Sequence, residues 1–117
     1  DMMEELQIYR DSYNLTGKVY ASMPEMERMH RFTIGSKMLD ASLDMFKWII
    51  LANNTRIKDE RLKYLDEFIS NFEKLRVFLR ICSDFKLIKM NTLADLFILT
   101  DSISKQTNGW RNATTRM

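Results

Sequence analysis

A chain of 117 residues is the size of one ordinary domain. With 45% hydrophobic and 29% charged residues it has a folded rather than a disordered composition, and three glycines with one proline are too few for the turns of an all-β fold. The net charge of +2 excludes a strongly acidic or strongly basic protein, so any charge effect must come from its distribution.

Leu6, Tyr9, Tyr13, Thr16 and Tyr20 recur at alternating spacings of three and four residues, which predicts a first helix from about Glu4 to Ser22 with that stripe as its buried seam. It stops before Met23-Pro24, because the residue preceding a proline resists helical angles. A second helix begins near Glu27 or Arg31. It carries Ile34, Met38, Ala41, Met45, Trp48 and Ala52, with Phe46 and Ile49 widening the face, and ends at Asn53-Asn54-Thr55.

The third helix, about Lys58 to Phe85, has the clearest seam: Leu65, Phe68, Phe72, Leu75, Leu79 and Cys82. A second apolar stripe follows Leu62, Ile69, Val77, Phe78, Ile81 and Phe85. A helix that is apolar on two faces is either the central member of its bundle or meets another chain. Ile69, Val77, Phe78, Ile81 and Phe85 are therefore the expected subunit interface, with Met26 and Met29 adding contacts from a loop expected to be exposed. A fourth helix opens at Asn91 or Thr92 as N-cap, with Asp95 placed to complete a capping arrangement with Thr92. Its seam is Leu93, Leu96, Phe97, Thr100, Ile103, Thr107 and Trp110. Short connections make neighbouring helices antiparallel, so the expectation is one all-α domain over residues 1–117, an up-down-up-down four-helix bundle about 40 Å long.

That topology brings the first and third connections to the same end. Residues 17–37 and 74–90, with Asp95 and Asp101 added from the fourth helix, leave this end at +4 and the remainder at −2. Arg28, Arg31, Arg76, Arg80, Lys86 and Lys89 all fall in the positive half.

Groups that commonly carry catalysis are scarce. The one histidine, His30, sits beside Arg28 and Arg31 and reads as a solvated residue. One Cys and one His cannot make a zinc site, and the isolated glycines Gly17, Gly35 and Gly109 form no phosphate-cradling loop. Asp40 and Asp44 lie one turn apart, but the Glu-x-x-His pairs of a di-iron bundle are missing. Cys82 falls on a core seam and reads as a buried hydrophobe. The expectation is no enzyme, no cofactor and no metal. No run approaches the roughly 18 apolar residues of a membrane span. Asp1 to Arg10 carries three acids and no apolar signal segment, so a cytoplasmic setting is expected.

Arg76 and Arg80 stand in the run Leu75-Arg76-Val77-Phe78-Leu79-Arg80, one turn apart on an otherwise apolar helix. A guanidinium keeps its charge and needs a partner. Glu73, Asp40 or Asp44 would supply one internally, whereas phosphates or another chain would supply one from outside.

The stretch Leu75-Arg76-Val77-Phe78-Leu79-Arg80-Ile81 resembles the L-R-x-W/F-L-R segment of the accessory variability determinant (Avd) proteins of diversity-generating retroelements, and Gly109-Trp110 resembles a Gly-x-Trp or Gly-Trp element near their C-terminus. Glu5-Leu6-Gln7-Ile8-Tyr9 and Ser22-Met23-Pro24 are also similar to the related four-helix bundles encoded in intervening sequences of large-subunit ribosomal RNA genes. The Avd resemblance implies a barrel-shaped homopentamer with a basic surface that binds RNA or DNA and a retroelement reverse transcriptase and assists mutagenic copying. It carries Arg76 and Arg80 over as binding residues, with Arg28, Arg31, Lys86 and Lys89 in the same positive half. The alternative is the intervening-sequence type of bundle, a structural or protein-interaction module without nucleic-acid binding.

Overall fold

In the computed structural model, which describes residues 6–117, four long helices account for most of the chain and no strand occurs among the described residues. Helix α1 spans Gln7–Ser22 and α2 spans Ser36–Asn54. Helices α3, Lys58–Asp84, and α4, Met90–Thr115, complete the set. Each packs on its chain neighbours, and α4 returns to α1, so the helices form a ring in the order α1-α2-α3-α4. The result is a bundle with extents of 46 × 26 × 22 Å, the elongated shape that the helix lengths predict.

The connection between α1 and α2 is itself helical. A 3₁₀ turn, Met23–Glu25, follows α1, and the chain re-enters helix at Arg28–His30. It then passes through five residues of π-helix, Arg31–Gly35, into α2. The buried Gly35 is where the connection folds back on this segment. A Cβ there would stand 2.9 Å from the Met23 Cε and 3.2 Å from the His30 carbonyl oxygen, so a larger residue would require the Met23 side chain to swing aside and the His30 backbone to shift slightly.

The core is built from the α3 seam expected above. Leu65, Phe68, Phe72, Leu75, Leu79 and Cys82 are all essentially inaccessible, and Met38, Met45, Ile49, Leu96 and Ile103 pack from α2 and α4. In α1 the expected seam is wrong. The buried residues are Ile8, Ser12, Leu15, Val19 and Ser22, whereas Tyr13 and Tyr20 are 66% and 68% exposed. Two stripes of equal period run along this helix. A buried tyrosine must find its hydroxyl a partner, whereas two serines leave room for a neighbouring helix to come close. Ser22 meets its own need locally, its Oγ donating to the Val19 carbonyl at 2.7 Å.

Helix α3 is not a central member either: it lies between α2 and α4, like every other helix in the ring. Its second apolar stripe is not one surface. Ile69 and Phe78 are partly buried and pack against the core, Ile81 is half-buried, and Val77 and Phe85 are exposed. Met26, expected in an exposed loop, is buried, and only Met29 is open to solvent. The 3₁₀ turn folds Met26 inward as a plug on the end of the core.

The start of α4 also differs from the expectation. Its N-cap is Lys89, which has no capping side chain, and Asp95 is exposed beyond the first turn. A carboxylate from across the bundle does the capping. Glu25 Oε1 accepts the Lys89 N–H at 2.8 Å, and Glu25 Oε2 accepts the Thr92 hydroxyl at 2.9 Å. Asn91 contributes by accepting the Thr92 N–H at 2.9 Å. A negative charge at a helix N-terminus meets both the unpaired amides and the positive end of the helix dipole. The opposite end is clasped by Arg61, which donates from Nε to the Ala52 carbonyl at 3.0 Å and from Nη2 to the Thr55 carbonyl, satisfying the frayed end of α2.

Replacing Glu25 with alanine should cost about 1–2 kcal/mol in urea unfolding, the upper part of the range for a lost cap. Glu25→Gln retains an acceptor and should lose less. Equal stability of all three proteins would show that the contact contributes nothing.

Candidate functional site

Tying the first and third connections together through Glu25 gathers the cationic residues at one end. Arg28 and Arg31 leave the first connection on exposed positions, and Lys86 and Lys89 leave the third in the same way. Among the described residues none of these four forms an ion pair. Arg28 lies 5.6 Å from the ring centroid of Phe32, an exposed phenylalanine on the π segment.

Arg76 and Arg80 sit differently. Both lie on the outer flank of α3, facing the groove toward α4. Arg76 Nη1 donates to Glu73 Oε1 at 3.2 Å, one turn back, and its guanidinium lies 5.8 Å from the Phe72 ring. Arg80 is 4.0 Å from Asp84 and its side chain is 84% exposed. The pairing acids are therefore neighbours on the same helix rather than Asp40 or Asp44, which are exposed on α2. Solvent-exposed pairs of this kind contribute roughly 0–1 kcal/mol and are easily exchanged for an outside anion. The groove around them nevertheless holds Glu73, Asp84 and Asp101 beside the two arginines, so it is mixed in sign rather than uniformly positive.

Lys86 has a local feature that sequence reasoning missed. Helix α3 ends in a Schellman turn, with Leu87 N–H bonded to the Cys82 carbonyl at 2.9 Å and Lys86 N–H to the Ser83 carbonyl at 3.2 Å. That turn needs a left-handed residue, usually glycine, and here Lys86 occupies it at φ 57°. A lysine in this position accepts strain a glycine would avoid. The absence of glycine after Asp84-Phe85 was the one available sign that this turn is unusual.

The two tryptophans are half-buried and serve the bundle. Trp48 stacks on Tyr64 at 6.3 Å with the Lys47 ammonium 4.6 Å from its ring. Trp110 packs against the core from α4, at the end opposite the cationic residues. Near that end Arg111 makes a two-point contact with Asp66, at 2.8 and 3.3 Å, which ties α4 to α3 and raises the guanidinium pKa further. Cys82 is buried on the α3 seam, and desolvation pushes its thiol up to about 11.

The fold is thus an antiparallel four-helix bundle whose first and third connections carry four exposed cations, Arg28, Arg31, Lys86 and Lys89, with no ion pair among the described residues. A family model described as bAvd-like matches residues 5–114, and the chain belongs to that family. It is an accessory protein of the Avd type. No curated protein matches the chain.

Two outcomes are expected from these local features. Lys86→Gly should raise stability by about 0.5–1 kcal/mol by relieving the left-handed lysine, read as a higher urea midpoint with an unchanged slope. The folded thiol of Cys82 ionises above the ordinary value of 9.0, so its contribution to stability is intact below pH 9 and is lost as the pH rises toward about 11. Wild type should therefore lose more stability over that interval than Cys82→Ala, and parallel pH profiles would contradict the assignment.

Proposed function

We propose that this chain is a non-enzymatic accessory subunit that oligomerises, binds nucleic acid electrostatically and docks a retroelement reverse transcriptase to assist mutagenic copying. The observation that carries the reading is the cluster of exposed cations at one end, Arg28, Arg31, Lys86 and Lys89, none paired with an acid among the described residues. Arg76 and Arg80 extend that cluster along the flank of α3. Their acids are only loosely held and yield readily to a phosphate. Family membership supports the accessory role, and the chemistry of the cations supports a polyanion as ligand. Lysine and arginine contacts to phosphates give affinity without sequence preference. Among the described residues no helix is long and apolar enough to cross a membrane, and in this reading the protein works in the cytoplasm, where template RNA and reverse transcriptase meet.

For subunit contacts, the exposed Val77 and Phe85 are the members of the expected α3 interface best placed to meet another copy, with Ile81 beside them. Ile69 and Phe78 support them from half-buried positions. A pentamer is the assembly that the family resemblance suggests.

The test is fluorescence anisotropy with labelled single-stranded RNA and duplex DNA between 50 and 200 mM salt. Contacts to about four phosphates give a slope of log K against log salt of roughly −3 to −4. A flat dependence, or no binding at low salt, would overturn the electrostatic reading. Changing Arg76 and Arg80 together to glutamine should weaken binding and change stability by less than about 1 kcal/mol, because both pairs are exposed. A large loss of stability with binding retained would support the purely structural alternative. Co-purification with a retroelement reverse transcriptase co-expressed with this chain checks the protein partner.

A further inference from the structure

The third connection and the first two turns of α4 enclose a groove of about 510 Å³ between the end of α3 and the start of α4. Its lining is mostly aliphatic. Leu87 and Leu93 form the floor, and Met90 and Phe97 rise beside it on one face of α4, at spacings of three, four and seven residues. Met90 is 86% exposed, an unusual position for a side chain with nothing to pack against. Lys86 and Lys89 stand on the rim. Glu25 lines the same groove, its carboxylate accepting from the Lys89 amide and the Thr92 hydroxyl, and neither ammonium group forms an ion pair among the described residues.

We propose that this groove docks an amphipathic helical segment of a protein partner, with apolar side chains entering between α3 and α4 and carboxylates meeting Lys86 and Lys89. The claim deepens the protein-docking half of the function proposed above. An aliphatic floor with cations only at its edge suits a peptide face carrying apolar anchors. A phosphate backbone needs charge along its track and successive bases need several aromatic rings, whereas this groove has two lysines at one end and a single ring, Phe97. The groove runs about two turns along α4, from Met90 to Phe97, which suits a short helical segment. The left-handed backbone at Lys86 fits the same picture. Glycine would relieve the turn but would remove the ammonium group that a partner carboxylate meets, so Lys86 acts as a specificity-determining contact.

NMR titration of the full chain tests this with three probes. The first is an 18-residue amphipathic peptide with leucines on one face and aspartates at its flanks, the second its counterpart with lysines for aspartates, and the third a 20-nucleotide single strand. The expected result is saturable shifts at Leu87, Met90, Leu93 and Phe97 with the acidic peptide, at an affinity at least tenfold above that of the basic one. Lys86→Gly and Lys89→Gln should each weaken it about fivefold, and Phe97→Ala more than tenfold. Lys86→Gly keeps the test decisive, because that variant folds at least as well as wild type.

Equal binding of both peptides, shifts confined to other surfaces, or groove shifts produced by the oligonucleotide alone would overturn the proposal. A reverse transcriptase that binds normally to Lys86→Gly, Lys89→Gln and Phe97→Ala would overturn it too. If no reverse transcriptase binds while the acidic peptide enters the groove, the docking surface stands and only the identity of the partner given above fails.

Discussion

Helix α4 begins without a capping side chain of its own, and a carboxylate from the far side of the bundle supplies what is missing. Glu25 sits on a 3₁₀ turn set by Pro24 and reaches the first turn of α4 with both oxygens. This contact joins two connections that are more than sixty residues apart in sequence. It also seals the end of the core, because the same turn folds Met26 inward and presses Met23 against Gly35. A negative charge placed there is stabilised by the helix dipole.

The electrical character of the molecule follows from that arrangement. A net charge of +2 is small, yet the four cations nearest the sealed end have no acidic partner among the described residues, while the two arginines on α3 share their flank with three carboxylates. The surface therefore divides into two kinds of cationic region. At the end of the bundle, charge is free and next to apolar side chains. Along α3, charge is paired, exposed and exchangeable. In the proposed function, the first kind offers orientation through shape and the second offers affinity that salt can tune.

The helices were legible because each carries a strong periodic pattern. The six apolar residues of the α3 seam fall on one line and all are buried, although a second apolar stripe shares the helix. In α1 two stripes had the same period, and the more aromatic one was the wrong choice. Periodicity cannot rank two such stripes. What ranks them is the space between helices, which favours Ser12 and Ser22 over Tyr13 and Tyr20. The second stripe of α3 is divided between core and surface for a related reason. Its members are apolar but spread over too wide an arc of the helix, so the fold distributes them to both flanks of the seam. Of the candidate site, residue types and their gathering at one end were readable, because loop lengths fix which ends meet. The pairing of Arg76 with Glu73 was readable as well, because residues three apart share a helix face, whereas Arg80 facing Asp84 rather than Asp40 or Asp44 was decided by the packed helices.

Taken alone, the sequence determined that this is an antiparallel bundle of four helices, where each begins and ends to within a few residues, and that positive charge collects at one end. These properties follow from local periodicity and chain length, which act over short distances along the chain. Tertiary structure alone decided that Glu25 caps α4, that Lys86 holds a left-handed backbone, and that an aliphatic groove opens between two lysines. Each depends on groups distant in sequence meeting at a fixed distance and angle, and only the packed bundle supplies that geometry.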